Sequence, residues 1–214
     1  VAHNGNITNS AKLRVELEKR GAIFQSSADT EIIVHLMARC LGTLEAALIK
    51  SLPRIRGAYS FVFMTHGKLI GVRDPLGFRP LSLGKLGKSY LLSSETAALD
   101  SVGAKTLREV EPGEMVIIEK GKLRSLTPFK PAARKAVCIF EHIYFSRPDS
   151  RIFGETVHLV RQELGRNLAR EHPVDADFVV PVPDSGFSAA MGYSQESGIP
   201  LEMGIIRNHY VGRT

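Results

Sequence analysis

From residue 59 to residue 126 the apolar residues keep returning at every second position. Glycines break the pattern at His66-Gly67-Lys68, Leu86-Gly87-Lys88 and Lys120-Gly121-Lys122. A period of two puts alternate side chains on opposite faces, as a half-buried strand requires. A glycine between two such runs lets the chain reverse tightly. Strands are therefore predicted at 59–64, 68–72, 89–92, 115–119 and 123–126, joined as antiparallel hairpins. Ahead of them the period is that of helices. Residues 10–20 form one, with Asn9 or Ser10 as cap and Gly21 at its end. A second covers 30–41, with Ile32, Ile33, Leu36, Met37 and Cys40 on one face, and a third starts at Thr43 and fades before Pro53. Helices followed by a strand meander predict a helix-covered sheet of the α+β class.

Residues 127–135 (Thr-Pro-Phe-Lys-Pro-Ala-Ala-Arg-Lys) read as an inter-domain connection, giving domains over 1–130 and 131–214. The second begins with a predicted amphipathic helix at 155–171, with Val157, Leu164 and Leu168 apolar. It continues with a strand at 177–182, a turn at Pro183-Asp184-Ser185-Gly186, a helix at 187–197 and a strand at 201–206. Strand, helix, strand is a βαβ unit, so this part is α/β with parallel strands and a right-handed crossover.

The chain has 214 residues and a formal charge of +6, but its basic residues are scattered and no aromatic-interleaved tract or nucleic-acid module is present. Phosphates and carboxylates suit this distribution better than nucleic acid does. No apolar run nears the roughly 20 residues that span a bilayer, so no membrane partner is expected. Two cysteines, Cys40 and Cys138, make no disulfide framework and point to a reducing, cytoplasmic setting, with Cys40 expected to be a buried thiol.

His3-Asn4-Gly5-Asn6 is the first candidate constellation. Hydrolysis of a carboxamide needs donors for the oxyanion, and an Asn side chain beside a backbone N–H can provide them. Gly5 lets backbone approach substrate without a Cβ. The competing reading is a two-residue hairpin turn, which Asn-Gly favours. Asp29, at a predicted helix start, reads as a carboxylate stabilised by the helix dipole. Together with Asn9, Ala28-Asp29-Thr30-Glu31, the run from Arg73 to Leu81 and Ser93-Ser94-Glu95-Thr96, these motifs resemble the glutaminase domain of class II glutamine amidotransferases. The family usually has Ser where this chain has Ala28. The resemblance implies an oxyanion hole at Asn4 and Gly5, and Asp29 as the group that binds the α-amino group of glutamine. The nucleophile would be an N-terminal cysteine, expected upstream of Val1.

The second constellation is the turn at Asp184-Ser185-Gly186. A turn that leaves a strand and opens a helix presents free N–H groups to an anion, or simply caps the helix through Asp184 or Ser185. Phe145-Ser146-Arg147-Pro148-Asp149-Ser150, this turn and Arg207-Asn208-His209-Tyr210-Val211-Gly212-Arg213-Thr214 resemble the glutamine phosphoribosylpyrophosphate amidotransferase family, whose second half is a type I phosphoribosyltransferase. The resemblance implies a partial Ntn-hydrolase αββα glutaminase domain followed by the first part of a type I phosphoribosyltransferase domain. It also implies a pyrophosphate site at Asp184, Ser185 and Gly186, with Ser185 as the Mg²⁺ position. Tyr210, Val211, Gly212, Arg213 and Thr214 would begin a flexible loop, and Arg207 would lie near a nucleotide site. Cys138 matches one of four ligands of a [4Fe–4S] cluster carried by one branch of the family.

The implied function is the first committed step of purine synthesis: glutamine, phosphoribosyl pyrophosphate and water give 5-phosphoribosylamine, glutamate and pyrophosphate. Implied partners are these substrates, purine nucleotides as feedback inhibitors, and further copies in a homo-oligomer, dimer or tetramer. The alternatives are a glucosamine-6-phosphate-forming amidotransferase and a non-catalytic nucleotide-binding module. Residues 1–214 alone are expected to be an inactive internal piece.

Overall fold

The computed structural model describes residues 1–208 and 210–212. These fall into two compact units, residues 1–138 and 139–214, each taken by itself below.

The first unit is layered. β1 (Ala2–Ile7), β2 (Gly57–Thr65), β3 (Lys68–Arg73), β7 (Met115–Glu119) and β8 (Lys122–Leu126) form one antiparallel sheet in the order β1-β2-β3-β7-β8. β4 (Ser82–Leu86), β5 (Ser89–Ser93) and β6 (Lys105–Glu109) form a second, in the order β5-β4-β6. Helices α1 (Ser10–Glu18), α2 (Thr30–Ala38) and α3 (Leu44–Ser51) cover the first sheet, through Leu17, Ile32, Ile33 and Leu48 against Tyr59, Phe61, Ile70 and Met115. The other face of that sheet meets the second sheet through Val62, Val116, Leu83 and Leu92. Helix α4 (Thr96–Ser101) packs on the far side, where Leu99 fills the space a side chain at Gly84 would need. The layer order is helices, sheet, sheet, helix.

The glycine-marked hairpins lie where the alternation put them. Three strands escaped it. β1 is rich in Asn and Gly, and β6 is dominated by charged residues; both are strands because a neighbour pairs with them, not because of their own propensity. In β4, the glycine that accommodates Leu99 hides the alternation. Two further expectations are corrected. Asn9 occupies the cap position of α1 but makes no capping bond, because its side-chain amide instead clasps the Arg54 carbonyl and the Arg56 N–H, both at 2.9 Å. Cys40 lies just beyond α2 and is only half-buried, with its thiol 3.6 Å from the Leu36 carbonyl.

The loop that enters α2 is fastened by Glu31, which accepts bonds from the Gln25 N–H at 2.7 Å, the Ser26 N–H at 2.9 Å and the Ser26 hydroxyl at 2.8 Å. These donors favour the ionised carboxyl and move its pKa from the ordinary 4.5 down to about 2. The folded value lies below the unfolded one, so the fastening is fully present above about 4.5 and is lost as pH falls towards 2. A carboxyl-carbon titration by NMR is expected to place the Glu31 midpoint near 2, and Glu31→Gln to remove the acid dependence of loop 25–28. A midpoint at the ordinary value would contradict this fastening.

Residues 127–138 run along the first unit. Phe129 joins its core, and Ala132, Ala136 and Cys138 donate backbone bonds to the carbonyls of Pro75, Leu76 and Phe78.

In the second unit a π-helical turn (Glu141–Phe145) and a short hairpin, β9 (Arg151–Ile152) with β10 (Glu155–Thr156), lead into α5 (Val157–Glu171), followed by α6 (Phe187–Ser197). Leu164 and Leu168 are exposed, contrary to expectation; the buried stripe of α5 is Val157, Arg161, Gln162, Gly165 and Ala169. Close approach explains this. A Cβ at Gly165 would lie 1.9 Å from the Ala189 carbonyl oxygen, and one at Gly192 would lie 1.9 Å from that of Gln162. The helices touch backbone to backbone, and large side chains are excluded from the seam. The strands expected at 177–182 and 201–206 are reduced to one parallel bridge, Val179 with Leu201. Val182 and Ile206 stay exposed, and a parallel ladder persists only where both faces are covered.

Candidate functional sites

Asn4 and Gly5 lie inside β1, opposite Ser60 and Tyr59, so the hairpin-turn reading of Asn-Gly is set aside. Gly5 has φ +151°, and a Cβ there would lie 2.1 Å from the Ala58 carbonyl oxygen; only glycine fits. β1 pairs on one side only, with β2. The Thr8 N–H points towards that partner and bonds the Arg56 carbonyl at 2.9 Å. The Ile7 N–H points the other way and donates to Asp29 Oδ2 at 2.9 Å. Backbone direction alternates along a strand, so the Gly5 N–H faces the same open edge as the Ile7 N–H. Asp29 therefore stands on that edge two residues from Gly5, about 7 Å along the strand. Its side chain makes no capping bond to α2.

Asn4 projects from the face of β1 that looks towards the second sheet. It heads a row, Asn4, Ser60, Arg73, across three strands. Its amide makes no side-chain hydrogen bond among the described residues. The row is held by the turn after β3. Arg73, buried, donates to the carbonyls of Arg79 at 2.9 Å, Val110 at 2.7 Å and Gly77 at 3.0 Å. Ser60 donates to the same Arg79 carbonyl at 3.0 Å. Asp74, fully buried, accepts the N–H groups of Tyr59, Leu76 and Phe78. Burial pushes its pKa up, and those N–H bonds and Arg73 pull against the shift.

In the second unit, Ser146, Arg147 and Pro148 face Asp184 and Ser185 across a cleft of about 420 Å³. Two of the sequence motifs of this half, around 145–148 and 183–185, thus meet in one place. Gly186 precedes α6 and bonds back to the Val182 carbonyl at 3.1 Å; neither Asp184 nor Ser185 acts as the cap. The Pro183–Asp184 peptide is cis. Arg161, missed in the sequence reading, lies under the cleft and donates to the carbonyls of His142 and Ser146. Its only sequence signal is its place between Val157 and Gly165 at helical spacing. Arg207 reaches Asp184 Oδ2 at 3.3 Å. Tyr210 is fully exposed, with Val211 and Gly212 beside it; Arg213 and Thr214 lie outside the described residues.

Asp184 and Ser185 offer oxygen donors. These are the type Mg²⁺ takes, and it keeps waters and shares substrate phosphates rather than demanding a full protein cage. Cys138 is buried, and the only other cysteine, Cys40, is engaged with Leu36 and Ser51. No group of three His, Cys, Asp or Glu that could hold a metal exists among the described residues. A [4Fe–4S] cluster takes four thiolates, so residues 1–214 alone do not complete one, and Cys138 supplies at most one of the four. No described helix is long and apolar enough to cross a membrane.

The glutamine amidotransferase domain family matches residues 1–101. Over its full length the chain is 50% identical to the amidophosphoribosyltransferase of Bacillus subtilis, of which it covers 45%, and 48% identical to that of Archaeoglobus fulgidus, of which it covers 47%. It thus spans about half the length of these curated relatives. Two solved structures match nearly all of the chain. One is the B. subtilis glutamine phosphoribosylpyrophosphate amidotransferase complexed with ADP and GMP, with a TM-score of 0.93 at 49% identity over 47% of that chain. The other, described as the allosteric regulatory enzyme of purine biosynthesis, has a TM-score of 0.94 at 50% identity over 46% of that chain. The fold is thus of the mixed α/β Ntn type found in these neighbours.

Proposed function

We propose, for a chain that belongs to the amidophosphoribosyltransferase family, that the whole protein makes 5-phosphoribosylamine from glutamine, phosphoribosyl pyrophosphate and water, releasing glutamate and pyrophosphate. Residues 1–130 serve as the glutaminase domain of αββα Ntn type, and residues 131–214 as the first part of a type I phosphoribosyltransferase domain. The observation that carries the reading is the open edge of β1. It brings the Gly5 N–H and the Asp29 carboxylate to one side of the strand, about 7 Å apart along it, with Asn4 on the adjoining face.

At that edge Asp29 takes the α-ammonium of glutamine through a charge-assisted bond. A cysteine thiolate, by family resemblance the N-terminal residue of the whole protein, attacks the carboxamide carbon. The negative charge that forms on the carbonyl oxygen meets the Asn4 amide and the Gly5 N–H. The cysteine's own α-amino group, having taken the thiol proton, passes it to the departing nitrogen; collapse then expels ammonia and leaves a thioester, which water hydrolyses to glutamate.

In the second half, the backbone of Asp184–Gly186 and the start of α6 receive the pyrophosphate group. Ser185 and Asp184 would hold Mg²⁺, which neutralises charge on the departing pyrophosphate. Ammonia takes the place of pyrophosphate on the anomeric carbon. The loop from Tyr210 through Thr214 closes over the site and excludes water. We further propose purine nucleotides as feedback ligands with Arg207 near their site, a homo-oligomeric assembly and a cytoplasmic location.

The test is direct. The whole protein, given phosphoribosyl pyrophosphate and Mg²⁺, is expected to release pyrophosphate only when glutamine or ammonia is added. Release driven by neither nitrogen source would overturn the reading.

A further inference from the structure

We infer that His3 is a positioning residue for Asp29, one that fixes the carboxylate so that its free lone pairs meet the α-ammonium of the amino-acid substrate. The inference rests on the role of Asp29 proposed above. His3 lies in β1 on the side of the helices, its side chain 5% exposed and its ring stacked on Phe61 at 4.4 Å between centroids. Its Nδ1 lies 3.2 Å from the Thr30 hydroxyl and 3.4 Å from Asp29 Oδ1. Its Nε2 is buried with no hydrogen-bond partner among the described residues.

These contacts assign the tautomer. Nδ1 has two oxygens to donate to and Nε2 has none, so the proton belongs on Nδ1. The carboxylate is then gripped at both ends. Oδ2 takes the Ile7 N–H at 2.9 Å, and Oδ1 faces the His3 ring and the Thr30 hydroxyl. A carboxylate has about four acceptor positions, so room remains for an ammonium. Gly5 serves this arrangement too, because a Cβ there would come within 2.8 Å of Nε2 and push the ring off Asp29. Asp29 is otherwise only the residue before α2, with no capping bond to hold it. The ring supplies the side-to-side restraint that a cap would have given.

The test uses the whole protein and two amides, glutamine and glutaramate, which lacks the α-amine. The readout is the ratio of kcat/KM for ammonia release from the two. A purely structural role lowers both values and leaves the ratio alone. His3→Phe keeps the stack on Phe61 and removes the donor; it is expected to shrink the preference for glutamine about 10-fold, through KM for glutamine rather than kcat. His3→Asn places an N–H where Nδ1 was and is expected to recover most of the preference. An unchanged ratio in His3→Phe, or an equal loss in folded His3→Asn and His3→Phe, would overturn the inference. Asp29→Asn separates the two ideas: if it leaves the preference intact, the role given to Asp29 fails first, and the positioning role falls with it.

Discussion

Asn4→Ala in the whole protein is expected to cut glutamine-driven product formation by about 100- to 1000-fold. The residue is exchanged within an edge strand, its amide bonds no side chain among the described residues, and β1 is held by backbone pairing that alanine retains. The fold therefore loses little. The oxyanion loses one of its two donors, worth about 3–4 kcal/mol where water is excluded. Ammonia supplied in solution bypasses hydrolysis, so the ratio of glutamine-driven to ammonia-driven turnover should fall by the same factor. Equal losses with both nitrogen sources would mean that Asn4 acts on the fold and not on the oxyanion.

The second large effect is on stability. Asp74→Ala is expected to cost about 3–5 kcal/mol and to lower the unfolding midpoint of the first unit by about 10 °C or more. Three N–H groups, of Tyr59, Leu76 and Phe78, would lose their acceptor in a place water does not reach, and Arg73 would lose the charge beside it. Asp74→Asn keeps one of the two acceptor oxygens and sets an NH2 donor where the other was, against the N–H of Leu76 or those of Tyr59 and Phe78. The amide keeps part of the network, so it should cost less than alanine while still destabilising the turn. Calorimetry of both variants checks this: an asparagine variant as stable as the parent would show that the turn does not need both oxygens.

The hairpins were legible because glycine turns announce themselves locally and alternation marks the buried face. β1, the strand that matters most, was not legible as a strand. Its residues suit turns and polar contacts, and it is straight only because β2 lies beside it. The motifs on it were readable as chemistry before their geometry was. Asn4, Gly5 and Asp29 were each singled out as candidates, yet the edge that the Gly5 N–H shares with Asp29 follows from a direction of pairing that no single residue encodes. His3 and Arg161 escaped for a related reason. Each looks like an ordinary polar residue until its burial is known, and burial is a property of the neighbours. On α5, side-chain size points to Leu164 and Leu168 as the buried face, whereas the seam with α6 selects for its absence.

That seam has a consequence for the cleft. One wall, the turn 183–186, is the lead-in to α6; the other, around Ser146, is tied down by Arg161 of α5. The gap between the walls is thus gauged by how deeply two rods nest, at Gly165 and Gly192, away from anything a ligand would touch. A methyl group at either position would work as a shim and reset the aperture while every lining residue stayed the same. The cleft inherits its bite from two positions that carry no side chain at all.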